Sequence, residues 1–225
     1  SAPGGARGGA PPPPPARTAR MASVSPAAPR PPAHPRGLAG GVGAYPTEGV
    51  WGLGCDPRNP RAIQRLIRLK GRGAGKGLIV IASDTAQLEG LVQWPAEASI
   101  RERMHATWPG PVTWVMAAAG GLPALLTGGR STVAVRVTDH PPVIALCRHA
   151  GRALVSTSAN RSGRPPARRR WQVARTFGNG LDWLLPGPLG GQRGPSEIRD
   201  AATGRILRAA APAPPEHLDR GGSPV

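Results

Sequence analysis

Lysine is almost missing from this chain: of its 29 cationic residues only Lys70 and Lys76 are lysine, and the rest are arginine. Cysteine is equally sparse. Cys55 and Cys147 are too few and too far apart for a disulfide framework or a zinc site, so each reads as a small buried hydrophobe. Tyr45 and Phe177 are the single tyrosine and the single phenylalanine, which leaves no aromatic platform of the kind that stacks RNA bases. No apolar run approaches the roughly 20 residues of a membrane span. The N-terminal stretch has arginines but no apolar stretch beside them, unlike a secretory signal, and the simplest reading is a cytoplasmic protein with a low-complexity extension. No G-x-G-x-x-G follows a first strand, which argues against a doubly wound dinucleotide-binding fold.

The ends differ from the middle. Residues 1–40 hold five arginines, no acidic residue, and mostly Pro, Ala and Gly. Such a stretch lacks the apolar bulk to form a core, and its prolines remove backbone donors, so it reads as a disordered, extended tail. Residues 209–225 read as a shorter flexible tail. One domain of 168 residues, 41–208, remains. Of the total charge of +17, the first tail holds +5 and the second −1, which leaves +13 on the domain. A body so basic attracts polyanions such as nucleotides, RNA or acidic surfaces.

Within that domain strands and helices mix. Gly41 to Tyr45 suggests a short strand weakened by Gly43. Asn59 and Pro60 give an N-cap and a first-turn proline, and Ile63, Leu66, Ile67 and Lys70 keep helical spacing to about Leu69, with both lysines just beyond. Leu78 to Ala82 is a continuous apolar strand, and Asp84 caps an expected helix through Leu91. A helix around 100–104, a rigid Pro-Gly-Pro turn at 109–111, strands at 112–116 and 132–137, a helix at 141–150 and a strand at 153–155 follow. A short helix at 171–177, a strand near 181–185 and segments at 196–200 and 205–208 complete the domain. Several intervals are too short for strict βαβ crossovers, so the expected fold is a twisted mixed parallel and antiparallel sheet flanked by helices.

Two segments carry chemistry. In Lys70-Gly-Arg-Gly-Ala-Gly-Lys76 the glycines let backbone N–H groups approach an anion, and the lysines offer compact point charges. It is not a P-loop. Lys70 stands where glycine is required, Gly77 follows Lys76 in place of Ser or Thr, and the loop runs from helix to strand. It suits either a phosphate held by Lys70, Arg72 and Lys76 or a solvated connector. Ser156-Thr-Ser-Ala-Asn160 follows an apolar strand directly, where α/β sheets place ligands, and its short polar side chains suit phosphate oxygens as well as a capped turn.

Taken together, the core resembles the threonylcarbamoyl-adenylate synthase family (YrdC-like, TsaC subfamily). The blocks that carry the likeness are Tyr45-Pro-Thr-Glu48, Gly52-Leu-Gly-Cys-Asp56, Leu69-Lys-Gly-Arg72 with Lys76-Gly-Leu78, Trp108-Pro-Gly-Pro-Val-Thr113, Val133-Ala-Val-Arg136 with Asp139-His-Pro141, Ser156-Thr-Ser-Ala-Asn160, and Pro195-Ser-Glu-Ile-Arg-Asp200. The resemblance implies a YrdC/RibB-like α/β fold with a large, open, positively charged cavity. It implies condensation of L-threonine, bicarbonate and ATP into threonylcarbamoyl-AMP with release of pyrophosphate. Proteins of a threonylcarbamoyl-transferase complex, met transiently, then modify the tRNA adenosine beside the anticodon, and the synthase itself is a candidate to meet tRNA. The family's K-x-R and S-x-N signature falls on Lys70, Arg72, Ser158 and Asn160, with Lys70 and Arg72 catalytic. ATP would be held by these four with Lys76 and Thr132, and L-threonine by Thr47, Arg136, Ser156 and Ser196. Arg136 would fork onto the substrate carboxylate. No side-chain nucleophile is needed. Mg²⁺ would travel on the ATP phosphates, with no metal ligand on the chain.

Three positions and one stretch depart from the family pattern. Gly73 stands where the family has proline, Gln192 and Gly194 stand where it has arginine and asparagine, and a proline-rich stretch replaces an amphipathic helix before the first strand. A second reading, a non-catalytic RNA-binding or ribosome-maturation factor that uses the basic cavity, rests on the charge alone.

Overall fold

Thr132-Val-Ala-Val-Arg-Val137 alternates valine with other residues, and alternate residues of a strand face opposite sides of a sheet. The computed structural model, which describes Leu38, residues 40–192 and residues 196–210, keeps that alternation at its centre. In chain order the described residues form β1 (Gly43–Pro46), β2 (Trp51–Gly54), α1 (Pro60–Lys70), β3 (Ile79–Ala82), α2 (Ala98–His105), β4 (Val112–Ala117), the single turn α3 (Ala124–Thr127), β5 (Thr132–Val137), α4 (Pro141–Ala150), β6 (Leu154–Ser158), α5 (Arg170–Phe177), β7 (Trp183–Leu184), β8 (Glu197–Asp200) and β9 (Ile206–Arg208).

The strands join in one sheet of order β7-β1-β2-β6-β3-β5-β4-β8-β9. Pairs β7–β1, β3–β5 and β4–β8 are parallel and the others antiparallel, the mixed sheet expected from the sequence. Val133, Val135 and Val137 of β5, Val80 and Ala82 of β3 and Val155 of β6 point to one face. There they meet Ala62, Ile63, Leu66 and Ile67 of α1 and Val173 and Phe177 of α5. Each fully buried Ile or Leu here contributes about 2 kcal/mol by leaving water. On the opposite face Ile81 and Leu154 pack with Val143, Leu146 and Cys147 of α4 and with Tyr45 and Trp183. That second layer covers only one end of the sheet. The other end of the same face is a cavity.

Local chemistry accounts for α1. Asn59 Oδ1 accepts from the N–H groups of Arg61 and Ala62, both at 3.1 Å, which satisfies two orphan donors. Gly71 closes the helix in the left-handed region with φ 60°, and its N–H and that of Arg72 return to Arg68 O and Ile67 O.

Several expectations needed correction. Lys70 is the last residue of α1, not a residue beyond it. Asp84 caps only a 3₁₀ turn, Thr85–Leu88. Strand β2 and helix α3 were not foreseen. The glycines that obscured β1 and β2 are there for close approach: a methyl on Gly43 would overlap the Trp183 ring, and one on Gly54 would sit 2.4 Å from Val155 O. Leu38, assigned by its sequence to the tail, has helical backbone, is 1 % exposed and packs beside Tyr45 and Trp183, so the packed body includes it. Of the expected tails, residues 1–37, 39 and 211–225 lie outside the described residues.

Candidate active site

Parallel pairing sets Ile79 of β3 beside Ala134 of β5, and antiparallel pairing sets it beside Ser156 of β6. Ile79, Ala134 and Ser156 thus form one row across the floor of a cavity of about 560 Å³. One pleat back along the strands lie Gly77, Thr132 and Ser158; one pleat on lie Ile81, Arg136 and Leu154. Thr132 and Arg136 share a face four residues apart, so the cavity has two ends about 13 Å from each other.

At the first end, Arg72 Nη2 donates to Gly77 O at 2.8 Å and Nη1 to Thr157 Oγ1 at 3.4 Å. Its Nε is buried with no hydrogen-bond partner among the described residues, and burial lowers its pKa. Ser158 and Arg130 line the same end.

At the second end, Arg136 is buried and its Nη2 donates to Glu48 Oε2 at 3.0 Å. Glu48 Oε1 accepts from Thr138 Oγ1 at 2.5 Å, and that hydroxyl accepts from His140 N at 3.1 Å. Both carboxylate oxygens are therefore occupied and orient the guanidinium. Arg136 Nε has no hydrogen-bond partner among the described residues. Thr47 donates its hydroxyl to Val50 O at 2.7 Å. Ser196 shares a 3.2 Å contact with Thr113 Oγ1, and Arg208 donates to Ser196 O through Nη2 at 2.7 Å. Burial, with Arg136 nearby, lowers the Arg208 pKa.

Seven of the ten residues singled out in the sequence line this cavity: Thr47, Arg72, Thr132, Arg136, Ser156, Ser158 and Ser196. Lys70, Lys76 and Asn160 do not. Lys70 is 4 % exposed. Its Nζ donates to Ser158 O, to Asn160 O at 3.0 Å and to Asn160 Oδ1 at 3.3 Å. Burial, then the charge of Arg72, pulls its pKa down to about 8. The ammonium thus holds the end of β6 in place. Asn160 serves the same loop: Oδ1 accepts from Ser158 Oγ at 2.6 Å and Nδ2 donates to Arg164 O at 2.7 Å. Lys76 is exposed on the glycine loop.

The sequence singled out neither Arg130 nor Arg208 as a site residue, and both line the cavity. Glu48 lay inside a quoted block without a role. Nothing in the sequence set it apart from Asp56, Asp139, Glu197 and Asp200 of the other blocks. Gln192 lines the cavity and its N–H donates to Glu48 O at 2.8 Å, whereas Arg193 and Gly194 lie outside the described residues.

Comparison with known proteins bears on the fold and the family. The model of the Sua5/YciO/YrdC family, described as telomere recombination, matches residues 38–210. The chain is 57% identical over 169 residues to a threonylcarbamoyl-AMP synthase of Nitrosococcus oceani, spanning 75% of this chain and 91% of that protein. It is 55% identical over 170 residues to a protein of the same name from Thiobacillus denitrificans, spanning 76% and 89%. The crystal structure of P. abyssi Sua5 complexed with L-threonine matches with a TM-score of 0.70 at 31% identity, over 76% of this chain and 51% of that one. This chain therefore spans about half of the Sua5 protein. E. coli YciO shares the fold, with a TM-score of 0.66 over 81% of this chain and 92% of that one. By these matches the chain belongs to the Sua5/YciO/YrdC family.

Proposed function

We propose that this chain is a threonylcarbamoyl-AMP synthase, an enzyme that condenses L-threonine, bicarbonate and ATP and releases pyrophosphate. The observation that carries the reading is the 57% identity to a synthase of that name over 91% of its length. A non-catalytic RNA-binding role has only the charge behind it and is not favoured.

The two ends of the cavity suit the two charged substrates. Arg136, fixed by Glu48, presents a guanidinium to the threonine carboxylate. Thr47, Ser156 and Ser196 supply short polar contacts around the rest of the amino acid. At the far end Arg72, Thr132 and Ser158 face the phosphates of ATP. The unprotonated threonine amine forms a bond to the carbon of bicarbonate, and one bicarbonate oxygen leaves as water to give a carbamate. A carbamate oxygen then attacks the α-phosphorus. The chain contributes alignment and preorganised charge, with no covalent intermediate on a side chain. Lys70 and Asn160 act from beneath by holding Ser158 at the edge of the cavity.

Mg²⁺ would arrive on the ATP phosphates. Among the described residues the single carboxylate lining the cavity, Glu48, is taken by Arg136 and Thr138, so that ion would be left to phosphate oxygens and water. The product would pass to a transfer complex that modifies tRNA adenosine beside the anticodon, and the reaction would take place in the cytoplasm. Among the described residues no helix is long and apolar enough to cross a membrane.

The test is pyrophosphate release from Mg-ATP with L-threonine and bicarbonate added separately and together. Release only when both are present is the expected result. Release that ignores threonine, or none from folded protein, would overturn the reading.

A further inference from the structure

Arg130 stands at the tip of the turn between α3 and β5, and a glycine interlock fixes that turn against the lysine loop. A methyl on Gly77 would sit 2.9 Å from Thr127 O, and one on Gly128 would sit 2.6 Å from Gly77 N and 2.8 Å from Gly75 O. The two loops therefore touch backbone to backbone, with no space for a side chain between them. Leu78 N donates to Leu126 O at 2.8 Å beside this contact.

The interlock brings two guanidinium groups to one residue. Arg72 donates to Gly77 O, while Arg130 Nη1 lies 3.3 Å from the position a Cβ of Gly77 would occupy. Both line the cavity. Among the described residues Glu48 is the one carboxylate in the lining, and it is paired with Arg136 at the opposite end. Arg72 Nε is buried and has no hydrogen-bond partner among the described residues. A polyanion seated between two such guanidinium groups neutralises both.

We propose that Arg130 is a substrate-binding residue which, with Arg72, holds the β- and γ-phosphates of ATP and the pyrophosphate formed from them. This inference rests on the synthase reading. In the transfer step the electron pair of a carbamate oxygen forms the bond to the α-phosphorus. The bond from that phosphorus to the α–β bridging oxygen breaks, and its electron pair leaves on pyrophosphate. Charge thus grows on the β-phosphate side, where the two arginines lie.

The test uses the full chain and the variants Arg130→Gln and Arg130→Lys, with calorimetric titration of pyrophosphate and, separately, of AMP. Arg130 is exposed, so the variants should melt as the wild type does. The expected result is about tenfold weaker pyrophosphate binding in Arg130→Gln, partial recovery in Arg130→Lys, and AMP binding within about twofold of wild type, as fits one lost charge-assisted contact. Unchanged pyrophosphate binding, or equal weakening for AMP, would overturn the assignment. The titration needs no turnover. A wild type that binds pyrophosphate through Arg130 yet releases none from ATP would keep the corner and remove the synthase reading.

Discussion

Replacing Lys70 by methionine keeps the aliphatic stem and deletes the ammonium. Three hydrogen bonds disappear, to Ser158 O, Asn160 O and Asn160 Oδ1. Ser158 O keeps the N–H of Asn160 and Asn160 Oδ1 keeps the Ser158 hydroxyl, while Asn160 O loses its lysine donor. Hydrogen bonds to a charged group contribute about 1.5–3 kcal/mol each, so the gross loss is about 4–9 kcal/mol. Burying the ammonium offsets part of this. The fall of its pKa from 10.5 to about 8 corresponds to about 3 kcal/mol. A net loss of about 3 kcal/mol follows, which in a domain of this size lowers Tm by about 6–12 °C. Thermal melting at pH 7 and pyrophosphate release below the melting range are the two readouts. Both should fall, because Ser158 moves when its support is gone. Lost turnover with an unchanged Tm would refute the reasoning and make Lys70 a direct substrate contact.

Four further outcomes are expected. Between pH 8 and 10.5 the unfolded chain binds a proton at Lys70 that the folded chain does not, so wild-type stability should climb relative to Lys70→Met through that window, as urea midpoints across pH will tell. Glu48→Ala strands a buried guanidinium; about 3–5 kcal/mol of stability should go, and in the milder Glu48→Gln the KM for threonine should rise while that for ATP holds, as steady-state kinetics will resolve. Gly77→Ala forces a methyl against Thr127 O and parts the two loops, so Tm should drop and the KM for ATP should rise. Leu38→Ala opens a cavity under Trp183 and should cost about 2–5 kcal/mol in denaturant titrations, with catalysis at low temperature retained.

The parts legible in the sequence were those set by local chemistry. Asn59-Pro60 announced α1, the apolar run at 78–82 announced β3, and the polar block after Val155 announced the floor of the cavity. Parts fixed by distant contacts were not legible. Strand β2 went unread because the need for Gly54 is set from afar: a Cβ there would lie 2.4 Å from Val155 O and 2.6 Å from the Tyr45 ring. Lys70 read as a phosphate ligand because its spacing shows charge and not direction, and its acceptors lie 88 and 90 residues further along the chain. Arg130 was one arginine among many, and only the Gly77–Gly128 contact distinguishes it.

The strand order also governs the timing of assembly. The β1–β2 hairpin forms from neighbours in sequence, yet it joins the sheet only through β6 and β7, with Gly52 paired to Ser158 and Gly43 to Trp183. More than a hundred residues must leave the ribosome before those partners exist. Until then Ala44, Tyr45, Trp51 and Leu53, all buried in the finished protein, remain uncovered on the emerging hairpin. Sheets closed by such remote partners fold slowly and present sticky intermediates. The chain should therefore depend on holding factors during synthesis more than its final stability would indicate.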